Sequence, residues 1–323
     1  MRSQALISLV ALWSGCHWIF PYGQARSDGP GLDGDSFWPD QRPSEGLRID
    51  HSGTWKLGPV EPLDSLNTPD EEDENYLSKD GRTIYFSRRL LTGVGKEIYV
   101  ATRATTLAPF GIPIPLAAVN STATDCFSTT EDELVGFLMT SRPGGPFPGT
   151  IDVWVGTRSS TTPWTIDMFK PDPVLSTADD DWDIFTSLDG LRVWWSPQVH
   201  TNPPPQQIVV AERASRKDPF SPPKVVGELT QDVADITLSA DERLAVFTAY
   251  RGGDEGNLYY ATRPDRFAPF SMPQPIPDVN VNSPSRDGEP FLSADGTELY
   301  FASDRPGGKG LDDLYRVKIL SSP

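Results

Sequence analysis

The sequence predicts an all-β, five-bladed β-propeller, and three recurring landmarks predict it. The first is a turn aspartate followed six residues later by a large apolar side chain: Asp80/Phe86, Asp132/Leu138, Asp189/Trp195, Asp241/Phe247 and Asp295/Phe301. By subtraction, successive aspartates stand 52, 57, 52 and 54 residues apart, close to the period of about 50 typical of kelch-type blades. The second is an alternating segment ending in a basic residue: Glu97–Arg103, Asp152–Arg158, Gln207–Arg213, Asn257–Arg263 and the shortened Asp313–Lys318. The third is proline followed by an aromatic: Pro109-Phe110, Pro163-Trp164, Pro219-Phe220 and Pro269-Phe270. The fifth copy stops before its Pro-aromatic strand, and the segment Trp55–Leu63 supplies an orphan version at the start of the repeats.

A four-stranded unit cannot bury both of its faces alone, so units of this period stack radially. The orphan strand is therefore expected to complete the last blade and close the ring. Six blades would need a degenerate unit within residues 36–50, which is too short for one. The 32 prolines and 27 glycines are spread along the turns. No stretch keeps a sustained 3.6-residue apolar period, so almost no helix is expected beyond the leader.

Residues 1–25 read as an export signal: Arg2 is the positive head, and residues 5–13 form an apolar core too short to span a bilayer. Two processing routes stand side by side. Leu12-Trp-Ser-Gly-Cys16 resembles a lipoprotein box with Cys16 as the lipidated residue, whereas Gly23 and Ala25 suit ordinary signal peptidase. Either places the domain outside the cytoplasm: in the periplasm, on the outer membrane as a lipoprotein, or secreted. Residues 26–52, polar and rich in Gly, Pro and Asp, read as a linker, and the propeller spans residues 53–320.

With Cys16 in the leader, Cys126 is left alone, so no disulfide framework exists. The formal charge of −17 argues against nucleic acid and anionic membrane surfaces, leaving a lipid anchor as the only route to a membrane. It favours a cation or a basic partner. Three histidines and no His/Cys cluster exclude a zinc site of ordinary spacing. The Gly-rich runs lack the spacing of a phosphate loop.

In an up-and-down meander the Ser-x-Asp turns and the recurring arginines fall on one face, where five-fold repetition reads as a folding device. The other face carries the residues six before each turn aspartate: Glu74, Cys126, Asp183, Asp235 and Glu289. They sit on the innermost strands, at the mouth of the central channel. The loops entering these strands add acids, densest over Asp70–Glu74 and Asp179–Asp183. Arg88 or Arg89, Arg142, Arg251 and Arg305 come from the opposite loops, and pairs Glu289–Arg305 and Asp235–Arg251 are expected across the strands. Clustered carboxylates repel, which Ca2+ would relieve, although no twelve-residue calcium loop is present. Trp182, flanked by acids, is expected to face a ligand. The candidate binding set is thus Glu74, Asp179, Asp181, Trp182, Asp183, Asp235, Glu289 and Arg305.

The residues Leu292-Ser-Ala-Asp-Gly296, Leu299-Tyr-Phe301, Ser303-Asp-Arg-Pro-Gly-Gly308 and Asp313-Leu-Tyr315 resemble the TolB-type, WD40-like β-propeller repeat of bacterial envelope proteins. Looser versions run from about Tyr76 to Lys318. The resemblance implies an exported, non-catalytic scaffold that binds an envelope protein at its channel face. The chain has no room for the separate N-terminal α/β domain of TolB, and it has five units where TolB has six. The expected function is therefore a non-catalytic envelope propeller binding a protein or glycan at the acidic face. The alternative is a glycosidase-like, carbohydrate-active enzyme using Glu74, Asp183, Asp235 and Glu289.

Overall fold

The computed structural model describes residues 54–323, except 92, 94, 199–205, 231 and 252–255. The leader, the linker, Cys16 and all three histidines lie outside the described residues. Twenty strands form five antiparallel four-stranded sheets, the five blades of a propeller. Blade one is β2 (Glu71–Leu77), β3 (Thr83–Arg89), β4 (Glu97–Thr102) and β5 (Ile114–Pro115). Blade two is β6 (Asp125–Thr129), β7 (Val135–Thr140), β8 (Asp152–Thr157) and β9 (Phe169–Pro171). Blade three is β10 (Asp180–Thr186), β11 (Arg192–Gln198), β12 (Val209–Glu212) and β13 (Lys224–Val225). Blade four is β14 (Val233–Leu238), β15 (Leu244–Ala249), β16 (Asn257–Thr262) and β17 (Gln274–Pro275). Blade five joins β18 (Asp287–Leu292), β19 (Glu298–Ser303) and β20 (Asp313–Ser321) to β1 (Lys56–Pro62). Among the described residues the only helical element is one 3-10 turn, Ile166–Met168.

The ring closes as the repeats require. β1 pairs antiparallel with β20, with Lys56 opposite Ser321, Val60 opposite Val317 and Pro62 opposite Tyr315. Arg316 adds an ion pair to Glu61 at 2.9 Å. The apolar faces of the blades meet in four buried clusters, so each blade is held by its neighbours.

The turn face is a repeated mechanical joint. Ser78, Thr130, Ser187, Ser239 and Ser293 each donate a hydroxyl hydrogen bond to the aspartate two residues on. That aspartate accepts the backbone N–H two residues further along. The Nε of Arg103, Arg158, Arg213 and Arg263 donates to a carbonyl of the same turn, on Gly81, Glu133, Gly190 and Glu242. Each guanidinium also covers the ring of the Pro-aromatic landmark, at 4.3 to 4.8 Å from its centroid. Landmarks 20 or more residues apart in the sequence are thus one contact in space.

Two turns put glutamate where the others have glycine. Glu133 and Glu242 have φ of 56° and 57°, a left-handed conformation that costs a non-glycine residue roughly 1 kcal/mol or more. Their carboxylates offset that cost by tying blades together: Glu133 accepts from Tyr85 of the preceding blade, and Glu242 accepts from Arg192 and Arg263.

Candidate functional site at the channel mouth

Four of the five innermost strands carry a bulge where they reach the channel mouth. The pairing register slips between Asp73 and Tyr76, Trp182 and Phe185, Ala234 and Thr237, and Gly288 and Phe291. Within each slip one acid takes a left-handed backbone: Glu74 (φ 50°), Asp183 (55°), Asp235 (54°) and Glu289 (53°). A bulge re-aims its side chain out of the sheet's alternation, and here it turns the acid toward the hub. All four line one central cavity of about 40 Å3, with Tyr76, Phe127, Phe185 and Phe291 among the walls. Glu74 and Asp183 are partly buried, whereas Asp235 and Glu289 are buried.

Blade two differs. Its pairing runs without a slip from Asp125–Thr140 to Thr129–Gly136, because the segment between its loop acid and its turn is one residue shorter. Cys126 therefore stands in a regular strand, fully buried, with its thiol pushed well above the usual range first by burial and then by the Glu74 charge.

A second layer of acids, two residues before the bulged acid in blades one, three and five and next to Cys126 in blade two, is structural. Glu72, Asp125, Asp181 and Asp287 accept the backbone N–H of Thr68, Ser121, Thr177 and Ser283 and so fasten the entering loops. The loop arginines pair with this layer: Arg88 with Glu72 at 2.6 Å, Arg142 with Asp125 at 2.5 Å and Arg305 with Asp287 at 2.5 Å. The expected pair Glu289–Arg305 is therefore wrong by two residues. The expected pair Asp235–Arg251 also fails, because blade four has Val233 where the others have the acid. The Arg251 guanidinium lies 5.4 Å from the Tyr259 ring centroid, and its Nε has no hydrogen-bond partner.

Two cations that no repeat landmark marks complete the hub. Lys96 is buried and donates to Asp73 and, at 3.0 Å, to Glu74. Ser87 donates to the other Glu74 oxygen at 2.8 Å. Arg286 donates to Glu289 and to Asp312, each at 2.6 Å. Glu289 also accepts the Glu74 backbone N–H at 2.6 Å. Burial alone would raise the Glu289 carboxyl, but Arg286 and then Lys96 overcome it and hold Glu289 below the usual range.

Asp183 and Asp235 have no such cation in contact. Each lies within reach of the other's charge. Burial, then the charges of Asp235, Glu74 and Glu289, holds the Asp183 carboxyl well above its usual range. Burial and the Glu289 charge raise Asp235 as well. Both carboxyls are thus pushed toward the neutral form, Asp183 the more strongly. Asp235 Oδ2 is buried with no hydrogen-bond partner.

The rest of the expected set is placed as follows. Arg305 anchors a loop through the carbonyls of Asn280 and Val281. Asp181 accepts Trp195 Nε1 at 2.8 Å, and burial pushes it up to about 7. The Asp179 backbone N–H is held by Thr177 Oγ1 at 3.2 Å, on the same loop. Trp182 packs against the cluster between blades two and three, with Lys96 Nζ 5.5 Å from its ring centroid. Among the described residues no group of three or more His, Cys, Asp or Glu side chains is placed to hold a metal ion; Asp180 accepts the Ile151 backbone N–H at 2.7 Å, and Asp181 accepts from Thr177 and Trp195.

No family model matches the chain, and no curated protein is similar to it in sequence. Solved structures share its architecture. An α-L-arabinofuranosidase from Podospora anserina, in complex with cellotriose, superposes with a TM-score of 0.55 at 11% identity over 84% of this chain and 98% of that one. The catalytic domain of a Coprinopsis cinerea α-L-arabinofuranosidase gives 0.54 at 9% identity over 83% and 98%. A thermostable family-43 glycoside hydrolase gives 0.53 at 12% identity over 80% and 92%. At such identities the likeness shows the fold alone. A putative TolB from Agrobacterium tumefaciens gives 0.49 at 15% identity over 81% of this chain and 97% of that one. The expectation of a non-catalytic scaffold is corrected here. The two arabinofuranosidases and the family-43 glycoside hydrolase above share the fold with TM-scores above 0.5, and among the described residues no arginine pairs with the inner-strand carboxylates Asp183 and Asp235.

Proposed function

We propose that this chain is a carbohydrate-active enzyme of the glycoside-hydrolase type, with its reacting groups at the channel mouth. The observation that carries the reading is geometric: four bulge-borne carboxylates from four inner strands, Glu74, Asp183, Asp235 and Glu289, converge on one cavity, and no cation is in contact with Asp183 or Asp235. Glycoside hydrolysis needs one carboxyl that is still an acid near neutral pH and one that is already a base. Asp183, whose carboxyl burial and neighbouring charges raise well above its usual range, is the group that protonates the leaving oxygen. Asp235, with Oδ2 unpartnered, is the carboxylate on which water or the sugar can depend. Glu289, held below its usual range by Arg286, supplies a fixed negative charge that raises both Asp183 and Asp235.

Two further points support a sugar. The enzymes named above carry glycosidase chemistry on the same kind of five-sheet wheel. The leader read in residues 1–25 would put this chain outside the cytoplasm, where polysaccharides are met. The test is a panel of aryl glycosides, pentofuranosides and hexopyranosides of both anomers, incubated with the purified chain between pH 4 and pH 8. Release of the aryl group from at least one, abolished in D183N, is expected. No release from any of them would overturn the reading.

A further inference from the structure

The hub cavity has two halves with different chemistry. Asp183 and Asp235 come from blades three and four. On the side of blades one and two the cavity is lined by Asn75 and Ser128, both more than nine-tenths buried. Asn75 Nδ2 donates to the Glu289 carbonyl at 3.0 Å, which fixes the amide and leaves Oδ1 as its free end. Neither Asn75 Oδ1 nor Ser128 Oγ has a hydrogen-bond partner. A buried polar atom left unpaired costs about 1–3 kcal/mol, so these atoms ask for a donor from outside the chain.

The charge points the same way. No lysine, arginine or histidine lines the cavity. The hub cations are each shared by two carboxylates, Lys96 by Asp73 and Glu74 and Arg286 by Glu289 and Asp312. Neither cation is in contact with Asp183 or Asp235, so carboxyl groups outnumber cations around the cavity. The remaining wall is aromatic, with the Tyr76 and Phe291 rings 4.6 Å apart. Acceptors, an excess of carboxyl groups and ring faces together suit an ammonium group, which donates several hydrogen bonds and is attracted to π faces. The volume of about 40 Å3 suits a small head group rather than a whole ring.

We propose that Asn75 and Ser128 form a subsite for a protonated primary amine, so that the sugar taken by this site is an amino sugar. This rests on the reading of the channel mouth as a sugar site and names the class of sugar. A neutral sugar would bring no cation to this excess, and a uronic acid or a sulfated sugar would add negative charge.

The experiment is calorimetric titration of the full chain at pH 7 with glucosamine, galactosamine, glucose, N-acetylglucosamine and glucuronate. The amines are expected to bind at least about tenfold more tightly than the neutral sugars, a difference of about 1.4 kcal/mol, with glucuronate weakest. Glucosamine binding should weaken in S128A and weaken further in N75L. If N75L fails to fold, S128A and the wild-type selectivity suffice. Neutral sugars binding as well as the amines would overturn the proposal, even if neutral aryl glycosides are hydrolysed. Amine selectivity without hydrolysis of any glycoside would uphold the subsite while removing the enzymatic reading. No binding of any sugar would overturn the subsite.

Discussion

The Glu289 carboxylate accepts the backbone N–H of Glu74 at 2.6 Å, and so ties the fifth blade to the first at the hub. The same carboxylate neutralises Arg286. Ring closure and site electrostatics therefore share one side chain. Replacing it with glutamine leaves the half-buried Arg286 with Asp312 alone; breaking a fully buried pair costs about 3–5 kcal/mol, an upper bound for this one. E289Q is expected to fold with a clearly lowered melting temperature and to lose activity together with stability. Chemical denaturation and a kinetic assay on one sample check both. An unchanged denaturation midpoint would show that the tie carries no load.

D183N should behave in the opposite sense. Asp183 pairs with no cation, and its carboxyl is raised by burial and by like charges. An amide in its place is neutral at every pH, so the cost of keeping a strongly raised carboxyl protonated in the fold is removed. The melting temperature of D183N is expected to equal or exceed that of the wild type, even as activity falls. A marked loss of stability would mean that the Asp183–Asp235 contact is structural.

Stability should fall as pH rises from about 5 to about 8. Glu131, Asp181 and Asp312 are each pushed up to about 7, in every case chiefly by burial. Between about pH 4 and pH 7 the folded chain binds protons at these groups that the unfolded chain has already released. Raising pH through that window therefore favours unfolding. Asp189, Asp295 and Glu289 are held below their usual range, so their contribution is lost at the acid end, below about pH 4. A melting temperature that peaks near about pH 5 and declines toward pH 8 is expected, with a shallower decline in D181N. A flat or rising profile from pH 5 to pH 8 would contradict it.

Deleting residues 1–62 should open the ring. Without β1 the long β20 becomes an unpaired edge carrying Tyr315, Val317 and Ile319, the kind of edge that drives aggregation. The truncated chain is expected to aggregate or melt without cooperativity, and a peptide spanning residues 54–63 should restore a cooperative transition. Normal melting of the truncated chain would mean that closure adds little.

The wheel, the blade count and the closing strand are legible in the sequence because each rests on residues that recur at a fixed offset, such as Asp295 with Phe301. Legible too is the gathering of Glu74, Asp183, Asp235 and Glu289, since one offset puts all four on inner strands. The pairing of those acids is not legible. A bulge is one extra residue inside a strand, and counting back from the turn cannot separate Glu289, which faces the channel, from Asp287, which faces its own loop. The same counting sets Cys126 beside the four acids, although blade two is one residue short there. Lys96 and Arg286 have no counterparts in other blades, so repetition cannot flag them. Trp182 reads as a ligand platform beside its acids, but its ring is held between two blades and under Lys96.

The account turns on Asp183 as acid and Asp235 as base. The most direct measurement is kcat/KM of the wild type, D183N and D235N on whichever aryl glycoside the wild type cleaves, with far-UV circular dichroism to confirm the fold. General acid–base catalysis contributes about 10²–10⁴-fold, so each variant is expected to lose at least about a hundredfold with an unchanged spectrum. Folded variants that keep kcat/KM within about twofold of the wild type would contradict it.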